Sequence, residues 1–170
     1  MLVRLALAVL AAVTLAAPVS AATAPPVGIT SFAQLKTPLP YPYDEKANAD
    51  QAVATAKARA RAEHKLLLID LGGNWCPDCR ILAGTMELPS LKPFVEAHYV
   101  VVTVDVGRFD KNLQIPAHYG VRKRLEGVPS LLVVDPVSDR LVDEGHISAL
   151  SDARSMGPQA LADWLAKWTR

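Results

Sequence analysis

The stretch Leu66-Leu67-Leu68-Ile69-Asp70-Leu71-Gly72-Gly73-Asn74-Trp75-Cys76-Pro77-Asp78-Cys79-Arg80 decides the reading of this chain. Its first six residues form a near-continuous apolar run, as a strand buried on both faces of a parallel sheet requires. Gly72-Gly73-Asn74 is a turn, and a helix opens at the cysteine pair. Cys76 then meets exposed N–H groups and the positive end of the helix dipole, which stabilise a thiolate. Pro77 suits the first helical position, where its missing N–H costs nothing. Cys79 lies about one turn on, so the two sulfurs can approach. The arrangement suits a reversible disulfide in which Cys76 attacks and Cys79 resolves. Two blander readings use the same pair. Half a zinc site would need further ligands, yet no other cysteine exists, and His98, His118 and His146 show no ligand spacing. An inert structural disulfide would close a four-residue ring, which removes little unfolded-state entropy.

Outward from this segment, the chain reads as one α/β layered domain. Asp44 to Lys65 predicts a helix with Ala49, Val53, Ala56 and Ala60 on its packing face. After the active helix, which ends before Pro89, Leu91 to His98 predicts a short helix and Tyr99 to Val106 a β-branched strand. Pro116 is expected to interrupt any helix over residues 110–120. Ser130 to Asp135 is a third strand, Pro136 to Asp139 a turn, and Leu141-Val142 opens a fourth, antiparallel strand. Leu161, Trp164, Leu165 and Trp168 are spaced as one face of a C-terminal helix, with Pro158 in its first turn. The two tryptophans read as core anchors.

The N-terminus adds a compartment. Arg4, the 13-residue apolar run Leu5 to Ala17, and Val19-Ser20-Ala21 form a signal-peptide pattern over residues 1–21. A membrane span would need a longer run to cross about 30 Å of hydrocarbon. The mature protein is therefore expected in the periplasm or secreted, after cleavage near Ala21. Residues 22–43 carry Pro25, Pro26, Pro38, Pro40 and Pro42 and read as an arm lying on the domain over 44–170. The 170 residues carry 18 basic and 17 acidic side chains, and loss of Arg4 with the leader leaves 17 of each. A neutral chain has no polyanion-binding footprint, so nucleic acid is not an expected partner. Two cysteines are too few for a disulfide scaffold, and a close pair outside the cytoplasm points to redox chemistry.

These residues resemble the active-site segment of the thioredoxin superfamily. Trp75 matches the family's aromatic residue before the first cysteine, and Asp70 its buried carboxylate six residues upstream. Gly127-Val128-Pro129-Ser130-Leu131-Leu132-Val133-Val134 matches a second mark, a cis proline before a strand, 53 residues after Cys76. The likeness spans roughly residues 47–168 and is nearest to exported bacterial thioredoxin-like proteins. It implies a central mixed sheet flanked by helices. It also implies catalytic roles for Cys76, Cys79 and Asp70, and a substrate surface at Trp75, Val128 and Pro129. Pro77-Asp78 stands where thioredoxins proper carry Gly-Pro. The family's strand lysine near the buried carboxylate falls, by counting back from Asp105, on Val101. The 119–127 segment is a few residues longer than in a minimal thioredoxin.

On this reading Asp70 has a raised pKa and accepts the Cys79 proton; the alternative is a strand-end carboxylate bonded to backbone or water. Pro129 presents the Val128 backbone to a substrate chain, or is a plain turn proline. Trp75 shields the pair, or simply packs. Arg122-Lys123-Arg124 selects acidic partners, or is a solvated loop. Asp78 lies near the Cys76 sulfur and repels its thiolate, which predicts a Cys76 pKa that is not extremely low and a reducing couple. The expected function is a protein disulfide reductase that needs no cofactor beyond the Cys76–Cys79 couple. It would act as a monomer on protein or small thiol/disulfide substrates and draw electrons from a donor in the membrane or cytoplasm. The alternatives are a disulfide oxidase or isomerase, and a module whose two thiols hold Cu(I).

Overall fold

The apolar run after the first helix becomes the centre of the sheet in the computed structural model, which describes residues 21–169. The predicted signal peptide lies outside the described residues except for Ala21. Strand β1 (Leu66–Gly72) is buried along its whole length. It pairs in parallel with β2 (Tyr99–Asp105) and antiparallel with β3 (Ser130–Asp135), and β3 pairs with the two-residue strand β4 (Arg140–Leu141). The sheet order is β2-β1-β3-β4. A strand flanked on both sides needs both faces covered, which explains why β1 does not alternate.

Helix α1 (Ala49–Ala62) covers one face. Its small stripe of Ala49, Val53, Ala56 and Ala60 packs with Leu67, Ile69 and Leu71 of β1. Asn48 caps it by accepting from the Gln51 N–H at 3.0 Å. The other face carries α2 (Pro77–Met86), α3 (Lys92–His98) and α5 (Pro158–Ala166), packed on Leu66, Leu68, Leu131 and Val133. Leu161 and Leu165 are fully buried there, while Trp164 and Trp168 are partly buried against the same cluster. No helix of the described residues is long and apolar enough to cross a membrane.

A short helix α4 (Gln114–His118) runs through Pro116, against the expectation that this proline would interrupt it. Pro116 is the third residue, and the first N–H groups of a helix have no intrahelical partner to lose. The Pro-rich arm lies on the domain and contributes three buried side chains, Val27, Leu35 and Tyr43. Polar contacts hold it. The Val27 N–H donates to Gln159, Arg80 donates to the Leu39 and Pro40 carbonyls, and Thr103 donates to the Pro42 carbonyl.

Candidate redox site

Strand β1 ends at Gly72, and the 73–75 turn delivers Cys76 to the N-cap of α2 with Pro77 at its first position. The Cys76 sulfur accepts from the Cys79 N–H at 3.2 Å, so the helix end holds the sulfur directly. Both cysteines are unbridged and buried. A hydrogen bond from the Cys79 thiol, with help from the backbone N–H groups of Cys79 and Asp78, pulls the Cys76 thiol below its ordinary range. Burial and the Asp78 charge oppose that shift. The same hydrogen bond, with burial and the negative charges of Cys76 and Asp70, pushes the Cys79 thiol far up. One sulfur is thus a ready nucleophile and the other keeps its proton.

Asp70 is fully buried, and burial pushes its carboxyl up to about 7 despite a hydrogen bond from Tyr43. That bond, from the Tyr43 hydroxyl to Asp70 Oδ1, is 2.9 Å long. Asp70 Oδ2 has no hydrogen-bond partner among the described residues. The strand register sets Thr103 beside Asp70, and Val101 pairs with Leu68 two residues back. The position matched to the family's lysine by counting is therefore not the one opposite Asp70. Thr103 instead turns its hydroxyl to the arm, and the arm returns a tyrosine to the carboxylate. Gly72 permits this convergence. A Cβ there would lie 2.8 Å from the Cys79 sulfur and closer still to the Tyr43 hydroxyl.

The Val128–Pro129 peptide bond is cis, and the Cys76 thiol donates to the Val128 carbonyl at 3.3 Å. The backbone of the 127–130 loop therefore flanks the nucleophile. Trp75 is 39% exposed. Its indole N–H donates to the Gly107 carbonyl at 2.7 Å, Arg108 stacks on its ring at 4.3 Å, and Phe109 meets it edge-on at 6.2 Å. Arg124 lies over Phe109 at 4.8 Å, while Arg122 and Lys123 line an open cleft of about 640 Å³ with His146 and Ser148.

Asp78 occupies the second position of α2, yet it is buried and its charge is paired. Arg154, in a 3-10 turn over Ala153–Ser155, donates from Nη2 at 2.6 Å and Nε at 3.1 Å to Oδ2, and its backbone N–H donates to Oδ1 at 2.8 Å. A guanidinium thus faces the carboxylate whose charge opposes the Cys76 thiolate. Tyr43 and Arg154 carried no signal in the sequence, since each reaches its partner from a segment of irregular backbone. No three His, Cys, Asp or Glu side chains among the described residues cluster at metal-binding distance, and the two sulfurs are the donors a Cu(I) ion would meet.

The thioredoxin-like family model matches residues 48–136. The chain is 35% identical to a disulphide isomerase from Xylella fastidiosa Temecula1 of known crystal structure. That match covers 76% of this chain and 97% of the other, with a TM-score of 0.69. A protein of unknown function from Pseudomonas aeruginosa is similar at 20% identity, over 72% of this chain and 86% of that one, with a TM-score of 0.38. None of the curated proteins matches the chain.

Proposed function

The chain belongs to the thioredoxin-like family of disulfide oxidoreductases, and on that premise we propose that it is an exported protein disulfide reductase working through Cys76 and Cys79. Cys76 attacks one sulfur of a substrate disulfide, breaks that bond with release of the other sulfur as a thiolate, and is left in a mixed disulfide. Cys79 then attacks Cys76, gives up its proton toward Asp70, and expels the substrate sulfur as a thiolate. The Val128 carbonyl and the cis Pro129 flank the reacting sulfur, where an extended substrate chain can pair with the backbone. Trp75 offers that chain an apolar contact. Export rests on the signal pattern of residues 1–21, and the donor that re-reduces the pair would act at the membrane or from the cytoplasm.

One observation carries the reductase direction, namely a buried carboxyl held near 7 close to a thiol that otherwise keeps its proton. A nearby base speeds the resolving step, and fast resolution commits the mixed disulfide to reduction before the substrate can rearrange. The isomerase reading is the second one, favoured by the 35% identical relative. An isomerase needs the mixed disulfide to persist. One measurement separates the readings, and a second tests the nucleophile. With dithiothreitol as donor, the wild type should reduce insulin disulfides readily and reactivate scrambled ribonuclease poorly; the opposite ranking supports the isomerase. Cys79→Ser should accumulate a Cys76 mixed disulfide, visible by mass spectrometry, and Cys76→Ser should accumulate none. Equal trapping on both would remove Cys76 from the nucleophile's role.

A further inference from the structure

The mechanism needs a path for the Cys79 proton, and the Asp70 hydrogen bond described above is not to Cys79 but to Tyr43. This hydroxyl is buried with its ring between the arm, β1 and α2. It donates to Asp70 Oδ1 at 2.9 Å, and the Cys79 sulfur is its neighbour, since a Cβ at Gly72 would meet both atoms. Hydroxyl and sulfur crowd the same side of Gly72, where no Cβ fits. A hydroxyl can accept one proton while donating another. We propose that Tyr43, carried by the N-terminal arm, relays the proton from Cys79 to Asp70 in the resolving step. The inference rests on the dithiol–disulfide reading above and adds a residue to it.

The step balances without an outside reagent. A bond forms between the Cys79 and Cys76 sulfurs, and the bond between Cys76 and the substrate sulfur breaks. The electron pair leaves on the substrate thiolate. The Cys79 proton passes to the Tyr43 oxygen as the Tyr43 proton passes to the Asp70 carboxylate. No tyrosinate has to form, which matters because burial and the charges of Asp70 and Cys79 hold the Tyr43 hydroxyl far above its ordinary range. The titratable groups facing Asp70 are Tyr43 from the arm and Cys79 from α2, with Cys76 beyond Cys79. In the reverse direction the same path returns the proton. Because Tyr43 belongs to the arm, the arm becomes part of the redox site rather than a cover on it.

The test follows both half-steps with Ellman's reagent in a stopped-flow instrument. The first nitrothiobenzoate is released when Cys76 attacks, the second when Cys79 resolves. In the wild type the second phase should rise with an inflection near pH 7. Tyr43→Phe should leave the first phase unchanged, slow the second about a hundredfold at pH 7.5, and lose the inflection. Asp70→Asn should do the same, and the double variant should be no slower than the slower single one, as links of one chain require. A second probe keeps the native shape: 3-fluorotyrosine at position 43 should change the second phase by more than about twofold and spare the first. The relay is overturned if Tyr43→Phe or 3-fluorotyrosine resolves like wild type. It is also overturned if the inflection is displaced but kept, or if the single losses multiply. A wild type with no first phase would refute the dithiol reading itself, and the relay with it.

Discussion

Replacing Asp70 by Asn should make the stability of this protein less sensitive to pH, in a direction fixed by burial. Asp70 is fully buried, and its carboxyl is pushed from about 3.8 up to about 7. Its folded pKa is raised, so the folded state binds more protons than the unfolded state between those two values. Stability therefore falls as pH rises through this window. The full cost of ionising Asp70 is absent below pH 3.8 and fully present above pH 7. One pKa unit corresponds to about 1.4 kcal/mol, so the carboxylate costs the fold roughly 4 kcal/mol at pH 8. Asn keeps an acceptor for the Tyr43 hydroxyl and carries no charge. Any packing penalty of the amide is the same at both ends of the range. The difference in unfolding free energy, Asp70→Asn minus wild type, should thus grow by roughly 3–4 kcal/mol between pH 4 and pH 8. Urea denaturation of the reduced protein, followed by far-UV circular dichroism, reads this directly. Asp143 is also held up to about 7 by burial, but it is common to both proteins and cancels. A difference that stays constant to within about 0.5 kcal/mol over this range would falsify the burial argument.

Three further outcomes follow from the same geometry. Asp78→Asn leaves the Arg154 guanidinium facing Cys76 without its carboxylate, so the Cys76 thiol pKa should fall and the couple become more oxidising, by about 10–30 mV; redox equilibration with glutathione reads it, and an unchanged or lower potential speaks against it. Arg154→Ala should act oppositely, raising the Cys76 pKa in an iodoacetamide alkylation profile, and a profile like wild type would show that this pair does not tune the sulfur. Gly72→Ala puts a methyl group into the space shared by Tyr43 and Cys79 and should cost about 1–3 kcal/mol; a thermal melt that does not move would mean that the arm yields without penalty.

The fold was largely readable because its decisive signals are local. The buried run Leu66 to Leu71, the turn and the Cys76–Cys79 helix start lie in one short stretch, and the strands and helices after it followed their own patterns of burial. The short helix through Pro116 was misread, since a proline's cost depends on where in the helix it falls. The site was readable only in part. Cys76 and Cys79 share one turn–helix unit, so their spacing was legible, and Asp70 entered through the resemblance to thioredoxins. Tyr43 reaches Asp70 across 27 residues, and Arg154 reaches Asp78 across 76. Both come from segments without helical or strand period, where proline and turn residues say that the chain bends but not where it lands. Counting along β2 pointed to Val101 as the neighbour of Asp70, whereas the parallel register chose Thr103. The charge logic of Asp78 changed for the same reason, because its partner is distant in sequence.

The reduction potential of the Cys76–Cys79 couple tests the central claim most directly. Burial and the Asp78 charge oppose the pull of the Cys79 thiol and the end of α2 on the Cys76 thiol. That opposition keeps the thiolate from strong stabilisation, as a reducing couple requires, so equilibration in dithiothreitol buffers should place the potential near about −270 mV. A value near about −120 mV, the range of strong periplasmic oxidants, would contradict the reductase reading and assign the protein to disulfide formation.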